Sequence, residues 1–267
     1  MGTIADKLLY LNETKTAIKD AIVAKGVTVA DTDSFRSYAD KIGQVGKKYG
    51  VTIDDLFGNI DENGVIVKPT QPLVLNMAGV KEIPMRSYYG TFYYHSGLTA
   101  AYLPDLESIN GGSACYYMFL NCNNLTEFYA PKLKSIIGVA SCLSMLSGIG
   151  ATELDFPELE IMDGNATANY MFSSNSKMER CYLPKLKTIN GTGVCKYMFQ
   201  YCPALTRLDF PSLTTISSVD SFEYMLRGTN KLTEVHFRAD AQALIESMNQ
   251  YDSKFGAGAN CTFYFDL

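Results

Sequence analysis

The sequence predicts an α+β chain: a helical N-terminal module, a solenoid built from repeats of short strands, and a closing helix and strand. Two numerical series carry most of that prediction. Prolines fall at Pro104, Pro131, Pro157, Pro184 and Pro211, and methionines keep step at Met118, Met145, Met171, Met198 and Met225. The intervals are about 27 residues, one in each series being a residue shorter, which lies within the range of solenoid repeats. A third observation concerns residues 4–25, where apolar side chains recur at steps of four and three, the period of an amphipathic helix.

The bulk composition limits the function. The chain has 267 residues, 47 % hydrophobic and 19 % charged, which suits a packed globular protein. A formal net charge of −5 and the absence of a Lys/Arg cluster argue against nucleic acid as the main partner. Eighteen Tyr and fourteen Phe with no Trp make it rich in the aromatic type most used on binding surfaces. The first residues show no charged-then-apolar leader, and Asp6 stands where a myristoylation motif at Gly2 wants Ser or Thr. No run approaches the ~20 apolar residues of a membrane span. Seven cysteines are present, with Cys115, Cys142 and Cys195 in one repeat column and Cys122 and Cys202 in another. Their columnar placement reads as small apolar side chains stacked in a core, reduced, rather than as disulfides or metal ligands.

Residues 1–49 form the helical module. Ile4, Leu8, Leu11, Ile18 and Ile22 make the seam of the first helix, interrupted by Lys15; Thr3 caps its start and Gly26 its end. After a Val27-Thr28-Val29 link, Asp33 caps a second helix with Phe35, Tyr38 and Ile42 on one face. Two helices of this size bury little alone, so they either fold back on each other or meet copies from other subunits. The run Ile4-Ala5-Asp6-Lys7-Leu8-Leu9-Tyr10-Leu11-Asn12-Glu13-Thr14-Lys15, closing on Phe35-Arg36-Ser37-Tyr38-Ala39-Asp40-Lys41-Ile42, resembles a helical module of bacteriophage tail and fibre proteins. That resemblance implies a virion component, with Leu8, Leu11, Ile18, Ile22, Phe35 and Tyr38 serving oligomerisation or attachment. It also implies synthesis in the bacterial host cytoplasm and a homo-oligomer, a trimer by family expectation.

Residues 50–79 read as a linker and N-terminal cap strands. Asn59-Ile60-Asp61-Glu62-Asn63-Gly64 looks like the start of a calcium loop, but its twelfth position is Thr70 where a bidentate Glu is needed. Asn63-Gly64 is better read as a turn before a strand at Val65-Ile66-Val67. A truncated first repeat follows at 80–97, where Val80-Lys81-Glu82-Ile83 matches Leu106-Glu107-Ser108-Ile109.

The repeats proper extend to residue 237. Apolar columns run through Leu98, Leu125, Met178, Leu205 and Leu232; through Ala101, Phe128, Leu154, Cys181, Leu208 and Val235; and through Leu103, Ala130, Phe156, Leu183, Phe210 and Phe237. Stacked columns bury a continuous core that no single unit could make. Pro ends the first strand of each unit, where no ladder donor is required, and Leu-x-x-Ile supplies a second short strand. The signature Leu-x-x-Leu-x-Phe-Pro-x-Leu-x-x-Ile resembles the BspA-type leucine-rich repeats of bacterial surface and phage proteins, implying a BspA-type leucine-rich-repeat β-solenoid over 80–237. Two local departures are Ala151 for the first Leu, and Leu143-Ser144-Met145-Leu146 in place of Tyr-Met-Phe. Residues 238–267 read as a helix-strand cap: a helix at 239–250 and a strand at Cys261-Thr262-Phe263-Tyr264-Phe265 that covers the last apolar unit.

Two exposed features are candidates for function. Asp105 and Glu107, Lys132 and Lys134, Glu158 and Glu160, and Lys185 and Lys187 alternate in sign from unit to unit. At ~4.8 Å between strands this puts opposite charges side by side, which specifies register before it suggests a binding surface. The second feature is an outward column just before each Pro-preceding apolar residue: Tyr102, Tyr129, Asp155, Tyr182, Asp209 and His236, flanked by Arg180 and Arg207. Tyrosine rings among carboxylates and guanidinium groups suit recognition of a carbohydrate or protein on a host surface, though a merely solvated strand face is the competing reading. The Tyr117, Tyr170, Tyr197 and Tyr224 column keeps step with core Met and Phe and reads as packing. With only two histidines and no phosphate loop, neither a catalytic residue nor a metal or other cofactor is expected. The expectation is thus a non-enzymatic virion appendage; a purely structural virion protein and a bacterial adhesin are the alternatives.

Overall fold

The computed structural model describes residues 72–249, 255–258 and 260–267, together with 15–16, 18–19, 29–30, 59–60 and 66–67. The chain divides into two compact units, Met1–Thr52 and Ile53–Leu267. In the first, Lys15, Thr16, Ile18 and Lys19 are helical, with Ile18 half-buried. The rest of the expected N-terminal module, including Leu8, Leu11, Ile22, Phe35 and Tyr38, lies outside the described residues, so the structure does not show that module. The helix with defined bounds among the described residues is C-terminal.

The second unit opens with a short hairpin in which β1 (Asn59–Ile60) pairs antiparallel with β2 (Ile66–Val67). From β3 (Leu73–Asn76) the chain winds in successive coils, each contributing a first and a second strand. The first strands after β3 are β5 (Leu98–Tyr102), β7 (Glu127–Tyr129), β9 (Glu153–Asp155), β11 (Arg180–Tyr182), β13 (Arg207–Phe210) and β15 (Glu234–Phe237). The second strands are β4 (Glu82–Pro84), β6 (Ser108–Asn110), β8 (Ser135–Ile137), β10 (Ile161–Asp163), β12 (Thr188–Asn190) and β14 (Thr215–Ile216). Because β3 already pairs in parallel with β5, the coiling starts ahead of the truncated repeat recognised at residue 80.

Every pairing in the coils is parallel and joins repeat equivalents, such as Ile109 with Ile136 and Met162 with Ile189. A strand one full coil away is the only neighbour that a three-residue strand can find, and it runs the same way. Most of these strands bury their middle residue alone, as period-two geometry requires.

The stretch after each second strand forms a third wall. It is a run of overlapping turns, in which Cys115 O accepts from Met118 N and Phe119 O from Cys122 N. Alternate amides leave the wall toward the following coil: Cys115 N reaches Ser141 O at 2.7 Å, Tyr117 N reaches Leu143 O at 3.0 Å and Phe119 N reaches Met145 O at 2.9 Å. The third residue of such a turn takes positive φ, so Tyr117, Tyr170, Tyr197 and Tyr224 sit at +58°, +54°, +57° and +52°.

Between the three walls lies a phenylalanine core. Phe92, Phe119, Phe128, Phe156, Phe172 and Phe199 contact one another in order with centroids 5.4 to 5.9 Å apart. Such offset and tilted pairs add to the burial of the rings themselves. Cysteines fill the smaller gaps as expected: six are buried and Cys261 is half-buried, all of them free thiols. Cys122 and Cys202 donate to the carbonyls of Phe92 and Phe172, and burial pushes the Cys202 thiol up to about 12.

The corner leaving β6, β8, β10 and β12 is a column of glycines, Gly111, Gly138, Gly164 and Gly191. Gly164 has φ +117°, and a Cβ there would stand 2.7 Å from the Gly138 carbonyl; Gly191, at +124°, would meet Gly164 at the same 2.7 Å. The coil through Gly150-Ala151 is a residue shorter than the coils on either side of it, and the buried Asn175 bridges it. Its amide accepts from Ile149 N at 2.8 Å and donates to Leu146 O at 2.9 Å.

The two ladders differ in continuity. The second strands form one six-stranded sheet, whereas the first strands separate into β3-β5-β7, β9-β11 and β13-β15 with the closing strand. Beside the continuous ladder the alternating charges do meet: Lys132 with Asp105 at 2.7 Å, Lys185 with Glu158 at 2.7 Å and Lys187 with Glu160 at 3.2 Å. On the first ladder the outward residue that opens each strand reads Glu127, Glu153, Arg180, Arg207 and Glu234. Strands pair where neighbours are opposite, Glu153 with Arg180 and Arg207 with Glu234. They part where neighbours are alike, Glu127 with Glu153 and Arg180 with Arg207. The short coil coincides with the first of these breaks, but the coil between β11 and β13 has full length. Like charges directly opposite on adjacent strands cost ~0.2–1 kcal/mol, enough to decide a pairing between strands this short.

The C-terminal cap is a 3-10 turn (Ala239–Ala241), the helix α1 (Gln242–Asn249) and β16 (Thr262–Phe265), which pairs in parallel with β15. Phe255 and Phe263 carry the aromatic core to its end through Phe222 and Phe237.

Two outcomes test this account. Gly164→Ala forces a side chain into left-handed backbone against its neighbour, and urea melts are expected to lose more than ~1 kcal/mol of stability. Arg180→Glu makes positions 153 and 180 alike and positions 180 and 207 opposite, so the break should move from β11/β13 to β9/β11. Amide hydrogen exchange would read this as protection gained in β13 and lost in β9; unchanged protection would mean that charge does not set the break.

Candidate functional site

The outward column of the first ladder is where the sequence placed its candidates, and the structure divides them. Tyr102 and Tyr129 pair in register on β5 and β7. The Tyr102 hydroxyl donates to Glu127, and its ring meets Tyr129 edge-on at 6.4 Å. Asp155 lies beside Tyr182 in register. Burial holds the Asp155 carboxyl above the usual carboxylate range.

His236 departs from its expected role as an exposed contact. The cap covers it: its Nδ1 lies 2.7 Å from Asp266 and its ring stacks on Tyr264 with centroids 4.6 Å apart. The outward position of β15 becomes an interior one as soon as β16 joins the ladder.

The break between β11 and β13 opens a cleft of about 310 Å³ lined by Arg180, Cys181, Tyr182, Leu183, Pro184, Arg207, Asp209 and Pro211. It brings together four of the eight candidates: Arg180, Tyr182, Arg207 and Asp209. Tyr102, Tyr129, Asp155 and His236 are not in its lining. Leu183 and Cys181, read from sequence as core alone, supply its floor, and the two prolines that end the strands supply its rim.

Each charge in the cleft has a partner. Arg180 pairs with Glu153. Arg207 Nε donates to both Asp209 oxygens at 2.8 and 3.0 Å, while its Nη1 reaches Glu234 at 3.3 Å, which together raise the guanidinium pKa. Arg180 thus reaches across to Glu153 on β9, whereas Arg207 is held to Asp209 on its own strand and also reaches Glu234 on β15. Tyr182, 43 % exposed, leaves its ring open to solvent at this edge.

The turn-wall tyrosines, read from sequence as packing, pack on one another rather than into the phenylalanine core. Tyr170, Tyr197 and Tyr224 stack on one another at 4.5 and 5.3 Å, and Tyr89 stacks on Tyr116 at 4.8 Å. Lys196 lies over Tyr197 and pairs with Glu223 at 2.7 Å. Their 27-residue recurrence was visible, but its meaning depends on the positive φ of the turns, which sends these rings to the surface instead of the core. Among the described residues no group of His, Cys, Asp and Glu could hold a metal ion, and no helix is long and apolar enough to cross a membrane.

Comparison with known proteins fits this geometry. The BspA-type leucine-rich repeat region matches in six copies over residues 88–227 and 152–252, more than half of the 267 residues. The chain belongs to the BspA-type leucine-rich repeat family, whose solenoids are recognition scaffolds for proteins or surfaces. Among solved structures it is similar to the T. pallidum leucine-rich repeat protein TpLRR, at 15 % identity and a TM-score of 0.37, over 81 % of this chain and 82 % of that one. It is also similar to the leucine-rich repeat domain of the type III effector XopL, at 12 % identity and a TM-score of 0.19, over 100 % of this chain and 96 % of that one. No curated protein matches the sequence.

The raised Asp155 pKa gives a pH test. The folded chain holds this proton more tightly than the unfolded chain does. The resulting stability is present below the ordinary Asp range and is lost as pH rises through the raised value. Asp155 is outward and largely solvent-exposed, so the partly desolvated charge costs little at pH 7; Asp155→Asn is expected to raise the urea midpoint slightly at pH 7 and to give no gain at pH 3. A lowered midpoint at pH 7 would refute the desolvation argument.

Proposed function

We propose that this protein is a non-enzymatic appendage of a bacteriophage particle, in which the leucine-rich repeat solenoid recognises a glycan or protein on the host surface. The observation that carries the recognition half is the first ladder. It presents Tyr102, Tyr129, Asp155, Tyr182, Arg180, Arg207 and Asp209 outward and opens a cleft among four of them. Tyrosine and arginine dominate recognition surfaces because each combines apolar area with directed hydrogen bonds. The virion half rests on the resemblance of residues 4–42 to a phage tail-fibre module. In this reading Leu8, Leu11, Ile18, Ile22, Phe35 and Tyr38 attach the chain to other virion proteins and assemble it, as a trimer. Weak single-site contacts then gain strength from multivalency. Catalysis, a cofactor and nucleic acid have no part in it.

The test is adhesion of the fluorescently labelled full chain to a panel of intact bacterial envelopes. Binding to a subset of strains is expected, with the double variant Tyr102→Ala, Tyr129→Ala weakening it at least ~tenfold, the scale of losing aromatic anchors. Binding to none, or binding unaffected by the double variant, would favour a structural role within the particle.

A further inference from the structure

We propose that the cleft between β11 and β13 is a subsite for a neutral pyranose unit of a larger glycan, an inference that rests on the recognition reading above. A parallel ladder normally leaves no room between strands ~4.8 Å apart. Here β11 and β13 are not hydrogen-bonded to each other, and the cleft of about 310 Å³ stands at the low end of the ~300–1,000 Å³ range of small-molecule sites. That space takes one sugar ring and is too small for a helix or strand.

The lining then selects the ligand's chemistry. Leu183, Pro184 and Pro211 are apolar, and the Tyr182 ring is open to solvent, which suits the C–H face of a pyranose. The polar groups are Arg180, Arg207 and Asp209. A ligand carrying its own charge gains little from them, because Arg180 is paired with Glu153 and Arg207 with Asp209 and Glu234. An acidic sugar or an acidic peptide would also meet those three carboxylates. Hydroxyl groups meet no such penalty. A carboxylate oxygen bonded to Arg207 still has lone pairs for a sugar hydroxyl, and a guanidinium has five N–H groups, more than these pairings use. The site thus offers directed donors and an acceptor around an apolar floor with no uncompensated cation, which is complementary to a neutral polyhydroxyl ring.

The experiment is saturation-transfer NMR on the full chain with methyl glucopyranoside, methyl galactopyranoside, methyl mannopyranoside and glucuronic acid, in 50 mM and 500 mM NaCl. Transfer to at least one neutral pyranoside is expected, unchanged by salt because no net charge is screened. Tyr182→Ala should abolish it and Asp209→Asn weaken it at least ~tenfold, the size of one lost charge-assisted hydrogen bond. Tyr182→Phe, which keeps the ring, should retain it, and equal thermal midpoints for all variants would show that folding is intact. Transfer to none of the four, preference for glucuronic acid with loss at 500 mM NaCl, or transfer that persists in Tyr182→Ala would overturn the proposal. Tyr102 and Tyr129 lie outside the cleft. Envelope adhesion that still depends on them while the sugars fail would therefore remove the subsite and leave the recognition reading standing.

Discussion

Everything in this fold depends on coil-to-coil stacking in register. Once two coils stack in parallel, each side chain has its own repeat equivalent as a neighbour, so a residue type that tolerates its own kind becomes a column. Phenylalanine does, and it builds the core. Glycine does, and it forms the corner, where a Cβ at Gly164 or Gly191 would stand 2.7 Å from the coil before. Charge does not tolerate its own kind. Lysine and carboxylate therefore alternate beside the second ladder, and that ladder runs unbroken through six strands.

The first ladder follows the same rule with a different outcome. Its outward residues do not alternate strictly, and the strands part between β7 and β9 and between β11 and β13. A register device and an open cleft are thus two results of one electrostatic constraint. The cleft costs the solenoid few contacts because the second ladder, the turn wall and the phenylalanine core still tie those coils together.

Much of this was legible in the sequence because a solenoid prints its own period. Pro131, Met145 and their equivalents located the coils, and the Leu-x-x-Ile spacing located the second strands. Asp105 and Lys132 were readable as a pair from sign and spacing alone. Four residues of the cleft, Arg180, Tyr182, Arg207 and Asp209, were readable as outward-facing, but not as neighbours of a cavity. A break in a ladder is a relation between two coils and has no signature in either. His236 was misread for a similar reason: whether an outward residue on β15 meets solvent depends on a strand almost thirty residues later. The surface stacking of Tyr170, Tyr197 and Tyr224 turns on a positive φ that their period does not reveal. Asn175 carries the one-residue deletion from a coil away, where no local motif would place it.

The turn wall has a direction. Its inter-coil amides point toward the following coil, and their acceptor carbonyls point back, from Tyr88 N with Ala114 O through to Tyr201 N with Arg227 O. Its two ends are therefore chemically opposite, one a row of acceptors and the other a row of donors. A solenoid with two bare ends of this kind would be self-complementary, and copies could join head to tail into a filament without any change in sequence. The cap takes up one of the donors at that end: Leu226 N is bonded to Phe255 O at 2.7 Å. The segment between the helix and β16, which carries Phe255, thus sits against the last described coil of the wall and gives the solenoid a chemically different finish at that end.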